Sequence, residues 1–172
     1  MHDEYRYYVN DTVADTRIEV RFETLLPHDI EILDGDDWIG SRFGEVWKMR
    51  TGRPGTLKLV SCSEVKTQIL GILSHGIVQI RRDGLRNSLI EVCPAHKFGS
   101  EARRYSGLGS VLVARLVIES MEQGGEGRLL IRPVVSSKGF YKRLGFTKSL
   151  VVPYLRLQTA QASVIIENVT KI

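Results

Sequence analysis

In the stretch ARRYSGLGSVLVARL, residues 102–116, two glycines stand two apart between a basic polar segment and a run of aliphatic side chains. Residues of these types in this order can hold an anion. Glycine lets the backbone approach a ligand without a Cβ in the way, and a turn that opens a helix aims free N–H groups and the positive end of the helix dipole at one point. Arg103 and Arg104, just upstream of Gly107 and Gly109, add charge, so a pyrophosphate is the natural guest. The same two glycines would also serve a plain tight loop.

Other glycine-loop and nucleophile chemistries fit less well. A Walker loop needs Lys followed by Ser or Thr after its last glycine, which GLGSV lacks. A dinucleotide fingerprint wants a third glycine where Leu112 stands and a tight connection from the preceding strand, where a long polar loop intervenes. A GxSxG nucleophile elbow is absent. Cys62 and Cys93 form no CxxC pair and read as small buried apolar residues; His2, His28, His75 and His96 form no i, i+4 ligand pair, so no metal is expected.

The elements that must carry this loop belong to a chain of 172 residues with 42% hydrophobic and 26% charged residues, the profile of one globular domain over 1–172. The opening MHDEYRYYVN has no apolar signal region, and Arg115 and Glu119 interrupt the longest aliphatic run, so neither a leader nor a membrane span is expected and the default compartment is cytoplasmic. Residues 1–37 carry eleven Asp or Glu against three Arg, a net of −8, which leaves +12 for the remainder of a chain whose total is +4. A basic body suits nucleic acid, an acidic membrane surface or a phosphorylated cofactor, and a solvated surface equally well.

RIEVRF (17–22) alternates as a half-buried strand, and the region from HDIEIL to FGEVWKM is more helical, broken by DGDD. TLKLVSC and TQILGILSHGIVQI read as a hairpin after the turn TGRPG, and RRDGLRN leads into the strand SLIEVC, which Pro94 ends. AHKFGSEARRYS is a polar loop. A helix then runs through the aliphatic stretch to GGEG, with Arg115, Glu119 and Glu122 sharing its one wet face. RLLIRP is a buried strand, SSKGFYKRLGF a short helix closed by Gly145 at its C-cap, and SLVVPYLRL and ASVIIENV are two final β-rich segments.

RRYSGLGS, with Arg104, Gly107 and Gly109, resembles the Arg/Gln-x-x-Gly-x-Gly/Ala loop of the GNAT superfamily of acyl-CoA N-acyltransferases, and it stands between a strand and a long helix as in that family. SSKGFYKRLGF is similar to the family's closing motif, with Phe140, Tyr141, Leu144, Gly145 and Phe146 in place. The match covers roughly residues 57–157. It implies an α/β (α+β) fold with a mixed, mostly antiparallel sheet flanked by helices and splayed between its fourth and fifth strands, here SLIEVC and RLLIRP. Acetyl-CoA would lie in the splay as co-substrate, with no metal. Val92 and Cys93 would offer main-chain groups to the pantetheine and thioester, and Arg104, Tyr105, Ser106, Gly107, Leu108, Gly109, Ser110 and Val111 would hold the pyrophosphate, with Phe140 of the closing motif also on the cofactor side.

The resemblance also implies that Tyr141 protonates the departing thiolate, unless its ring only packs beneath the helix. Glu91, in an apolar strand beside the splay, is the candidate base, with burial expected to raise its pKa; His96 is a rival. A covalent acyl-Cys93 route has no neighbouring base to support it. Two departures stand out: PAHKFGSEAR lengthens the loop before the glycines and would shape the acceptor site, and Val134 occupies the place of an Asn that often opens the closing helix. The expected reaction is transfer of an acetyl group to a primary amine of a small molecule, peptide or protein, and Asp34, Asp36 and Asp37 around Gly35 hint at a cationic acceptor. A non-catalytic acyl-CoA sensor and a nucleic-acid-binding protein are the alternatives. The transferase reading expects no nucleic-acid or membrane partner, and family precedent allows a homodimer.

Overall fold

A computed structural model of the chain describes residues 5–29, 31, 33, 38, 47, 49–62, 68–75, 84–86, 88–150 and 153–170. Six strands form one sheet in the order β5-β4-β3-β2-β1-β6, and three form another in the order β7-β9-β8. The first comprises β1 (Tyr7–Asp11), β2 (Thr16–Thr24), β3 (Thr56–Ser61), β4 (Ile69–His75), β5 (Ser88–Val92) and β6 (Tyr105–Ser106). The second comprises β7 (Leu129–Ile131), β8 (Thr147–Lys148) and β9 (Leu155–Leu157). Each strand pairing among the described residues is antiparallel, and an isolated parallel bridge joins Leu85, just before β5, to Leu129 of β7. Beyond that bridge β5 and β7 belong to different sheets, which leaves β5 as an edge strand.

The described residues include three continuous α-helices: α1 (Leu108–Glu122), α2 (Lys138–Arg143) and α3 (Thr159–Thr170). Helix α1 lies on the sheet so closely that a Cβ at Gly71 of β4 would come within 3.0 Å of Leu112 Cδ1. The larger core fills the space between the sheet, α1 and α3, with Val111, Leu112, Leu116 and Val117 fully buried. A smaller core on the other face gathers Leu25, Leu33, Trp38, Trp47, Ile69, Ile72 and Cys93. The sheet is therefore covered on both sides, which is why β4 reads as a continuous apolar run. The chain has the mixed α+β architecture that the alternation of its signals predicts.

Three expectations are corrected, and one strand appears where the sequence carries no assignment. ASVIIENV is not a strand but most of α3: its Ala162, Ile165 and Val169 are buried at helical spacing, and the β-branched run hides that stripe. Residues 7–11 form a strand between β2 and β6, although YYVND reads as part of an acidic, aromatic opening. Cys62 is exposed, just past the end of β3; Cys93 is buried as expected. Arg115 is only 7% exposed, because β1 and His75 close over the face of α1 that the sequence leaves wet. Its guanidinium lies 2.9 Å from Glu119 and 3.8 Å from Glu122, so the face is a charge network covered at Arg115 and open to solvent at Glu122.

Candidate functional site

The β5 edge, the loop behind it, the start of α1, the end of β7 and α2 enclose a cavity of about 670 Å³. Glu91, Val92, His96, Tyr105, Ser106, Gly107, Leu108, Gly109, Ser110, Phe140 and Tyr141 all line it. Residues chosen from motifs some thirty positions apart thus converge on one space, but Cys93, Arg104 and Val111 are not in its wall.

The two glycines do different things. Gly107 caps α1 at φ 89°, in the left-handed region that an L side chain enters only at a cost of roughly 1–2 kcal/mol. A Cβ there would meet nothing within 4 Å, so the residue buys the turn and leaves the space in front of it open. At Gly109 a Cβ would sit 3.0 Å from Phe140 Cζ and 3.2 Å from Cε2, so this glycine admits the ring of α2 against α1. No side chain caps the helix start, where the N–H groups of the first turn have no intrahelical acceptor. Val111 is the first to bond within the helix, to Gly107 O at 3.1 Å, and its side chain is buried.

Strand alternation decides what β5 offers. Cys93 N–H donates to Leu70 O at 3.0 Å and Cys93 O accepts from His96 N at 2.8 Å, so both its main-chain groups are engaged and its side chain lies in the smaller core. The peptide groups of Val92 and Ile90, by alternation, face away from β4 toward the open edge. Of the two residues singled out in this strand, only Val92 turns its main-chain groups to the open edge.

Arg104 is turned elsewhere. Its Nε and Nη2 reach Asp11 Oδ2 at 3.0 and 2.8 Å, and its carbonyl accepts from Thr12 N and Oγ1. The Arg104 guanidinium, with N–H groups of Ala14 and Val13, holds the Asp11 carboxyl below the usual aspartate range. His96 is buried, its Nδ1 accepting from Arg104 N at 3.4 Å and its ring edge-on to Tyr105 with centroids 5.0 Å apart. A ring nitrogen that accepts a main-chain N–H is not the one to take a proton from an amine.

Glu91 is 8% exposed and held at both oxygens: Trp47 Nε1 donates to Oε2 at 2.6 Å and Lys97 Nζ to Oε1 at 3.1 Å. Tyr141, wedged between Phe140 and Phe146 at 5.0 and 5.3 Å, has its phenol pushed up to about 12 by burial. Helix α2 is closed below it by Gly145, one place beyond the cap, with Phe146 N bonding Tyr141 O and Gly145 N bonding Lys142 O. That closure fixes the Tyr141 ring on the cavity wall.

Among the described residues the wall also carries Lys97, Arg103, Arg132 and Arg143, against the single carboxylate Glu91. Sequence reasoning found Arg103 but missed Lys97, Arg132, Arg143 and Trp47. They come from four separate segments of the chain, and only the fold brings Lys97, Arg132 and Arg143 to one wall with Arg103. Asp34, Gly35, Asp36 and Asp37 lie outside the described residues. Among the described residues there is no group of His, Cys, Asp and Glu that could hold a metal, and no helix long and apolar enough to cross a membrane.

The chain matches no protein-family model and no curated protein. It is similar to the crystal structure of an uncharacterized protein from Bacillus halodurans, at 12% identity and a TM-score of 0.51, over 95% of this chain and 97% of that one. At that identity the likeness concerns the fold alone.

Proposed function

We propose that the protein is an acetyl-CoA-dependent N-acetyltransferase of the GNAT kind, acting on a primary amine. The observation that carries this reading is the meeting of three features on one cavity: the uncapped start of α1 at Gly107, four cationic side chains, and the free edge of β5. A helix start with unsatisfied N–H groups favours phosphate, and the surrounding arginines and lysine neutralise it. An edge strand accepts an extended amide-bearing arm as an added strand. The divergence of β5 and β7 beyond the Leu85–Leu129 bridge supports the splayed sheet that the motifs imply.

In the reaction the amine nitrogen attacks the acetyl carbonyl carbon, the C–N bond forms and the C–S bond breaks. The ammonium loses two protons, one ending on the sulfur and one in solvent. Glu91 is the carboxylate available to the first, and an edge N–H such as that of Val92 would polarise the thioester oxygen. Tyr141 stays protonated at neutral pH, so it can donate a hydrogen bond to the leaving sulfur. Complete transfer of its proton to a thiolate, whose acid has an ordinary pKa of about 8.5, is uphill, so the phenol stabilises the leaving group more than it acidifies it.

The grip of Trp47 and Lys97 on Glu91 favours a second reading, a binding module without turnover. Calorimetric titration with acetyl-CoA, free CoA, dephospho-CoA and NAD, on the wild type and Gly107→Glu, tests the site. The expected result is acetyl-CoA binding that Gly107→Glu weakens at least 100-fold; absence of binding to either CoA form by folded protein overturns the assignment. Binding without release of free thiol in the presence of amines selects the second reading.

A further inference from the structure

The charges at the acceptor end of the cavity specify more than an amine. Glu91 projects from β5 on the side of Trp47, away from α1, and its carboxylate is 7% exposed. Lys97 comes from the loop after β5, lies 48% exposed, and lays its ammonium on Glu91 Oε1 at 3.1 Å. A buried carboxylate is thus closed by a cation that swings in from the solvent side. Any acceptor ammonium that binds Glu91 must take the place of Lys97.

The outcome of that exchange depends on what else the acceptor carries. When a simple amine enters, the half-exposed Lys97 ammonium gives up Glu91 and returns toward solvent beside Arg103 at little cost, and the ligand offers it no anion in exchange. When the entering molecule carries a carboxylate beside its ammonium, one anion and one cation replace each other at once: the ammonium sits on Glu91 and the carboxylate on Lys97. Because Glu91 and Lys97 start in direct contact, a ligand whose two charges are adjacent, as in an α-amino acid, bridges them with the least displacement of Lys97. Arg103 reinforces the anionic half, since its guanidinium lies over the Phe98 ring at 5.4 Å and its buried Nε has no hydrogen-bond partner among the described residues.

We propose that the acceptor is a free α-amino acid, its ammonium recognised by Glu91 and its carboxylate by Lys97. This rests on the transferase reading for its consequence, transfer to the α-nitrogen, but the recognition itself is a binding property that can be measured apart from it. Polyamines and lysine-rich peptides are disfavoured by the same charges, and peptide N-termini lack the adjacent carboxylate.

The test is calorimetric titration of the full chain, with and without saturating CoA, using a panel of amino acids, each beside its amide and its decarboxylated amine, for example leucine, leucinamide and 3-methylbutylamine, with spermidine as polycation. The expected result is at least tenfold tighter binding of an amino acid than of its amide or amine. Lys97→Met should abolish that preference and Lys97→Arg should keep it. Equal affinity across a matched set, a preference for spermidine, no amino-acid binding by protein that binds CoA, or a preference unchanged in Lys97→Met overturns the proposal. Amino-acid binding without CoA binding would leave the recognition standing and remove the transferase. Thiol release measured on the same panel then shows whether the bound amino acid is acetylated.

Discussion

The two ends of α1 treat charge in opposite ways. Toward its C-terminal half, Arg115 is buried and paired with Glu119 and Glu122, and His75 Nε2 lies 3.5 Å from Glu119. The Tyr7 phenol is pushed up by burial and drawn partly back by the adjacent Arg115. At the N-terminal end no side chain caps the helix, and among the described residues four cations share a wall with one carboxylate. Mutual pairing marks charges that serve the fold, because a buried charge must be compensated within the chain. An excess of one sign around an open cavity marks charges placed for a ligand, which supplies the compensation when it binds.

Substitutions on the two ends should therefore separate stability from binding. Arg115→Met removes one side of a buried pair and leaves Glu119 with His75 and the Gln123 amide; it is expected to lower unfolding free energy by about 3 kcal/mol in urea titration. Acetyl-CoA affinity of the folded fraction should stay within twofold, and a large loss of affinity would erase the contrast. Gly109→Ala acts the other way. Alanine favours the helix by about 1 kcal/mol, yet its Cβ presses on Phe140, so the two effects roughly cancel in stability. The displaced ring should weaken acetyl-CoA binding by about threefold to tenfold, read by the same calorimetry.

The smallest effect belongs to Asp11, which joins β1 to the cofactor loop through Arg104. Its carboxyl is held below its ordinary value of about 3.9, so the stabilisation is complete above that pH and disappears as pH falls through the lower folded value. Asp11→Asn should flatten that part of the acid limb of a stability profile measured by thermal unfolding between about pH 5 and pH 2. An unchanged acid limb would mean that Asp11–Arg104 contributes nothing to the anchoring of the loop.

Much of the frame is readable before any coordinates. The alternation in RIEVRF, the turn before TLKLVSC, the proline after SLIEVC and the glycine after YKRL place β2, β3, β5 and the end of α2 through local backbone preferences. ASVIIENV misleads because valine and isoleucine favour strands locally, while the space beside α1 rewards a helical stripe of Ala162, Ile165 and Val169. YYVND carries too little apolar pattern to declare itself, and it becomes a strand because β2 and β6 supply partners on either side.

The same division holds at the site. Glycines at 107 and 109 and the FYKRLGF segment are legible because turn geometry and helix closure are decided within a few residues. Three outcomes were decided only by the tertiary structure. Gly109 packs against Phe140 as well as lining the cavity, Arg104 pairs with Asp11 across the loop, and Lys97 closes on Glu91 opposite Trp47. Each depends on two segments far apart in sequence meeting at side-chain range, and local preference carries no information about which charge will find which partner. What the residues determined alone is where the backbone can turn, cap and alternate; what folding decided is which charges are spent on the chain and which remain for a ligand.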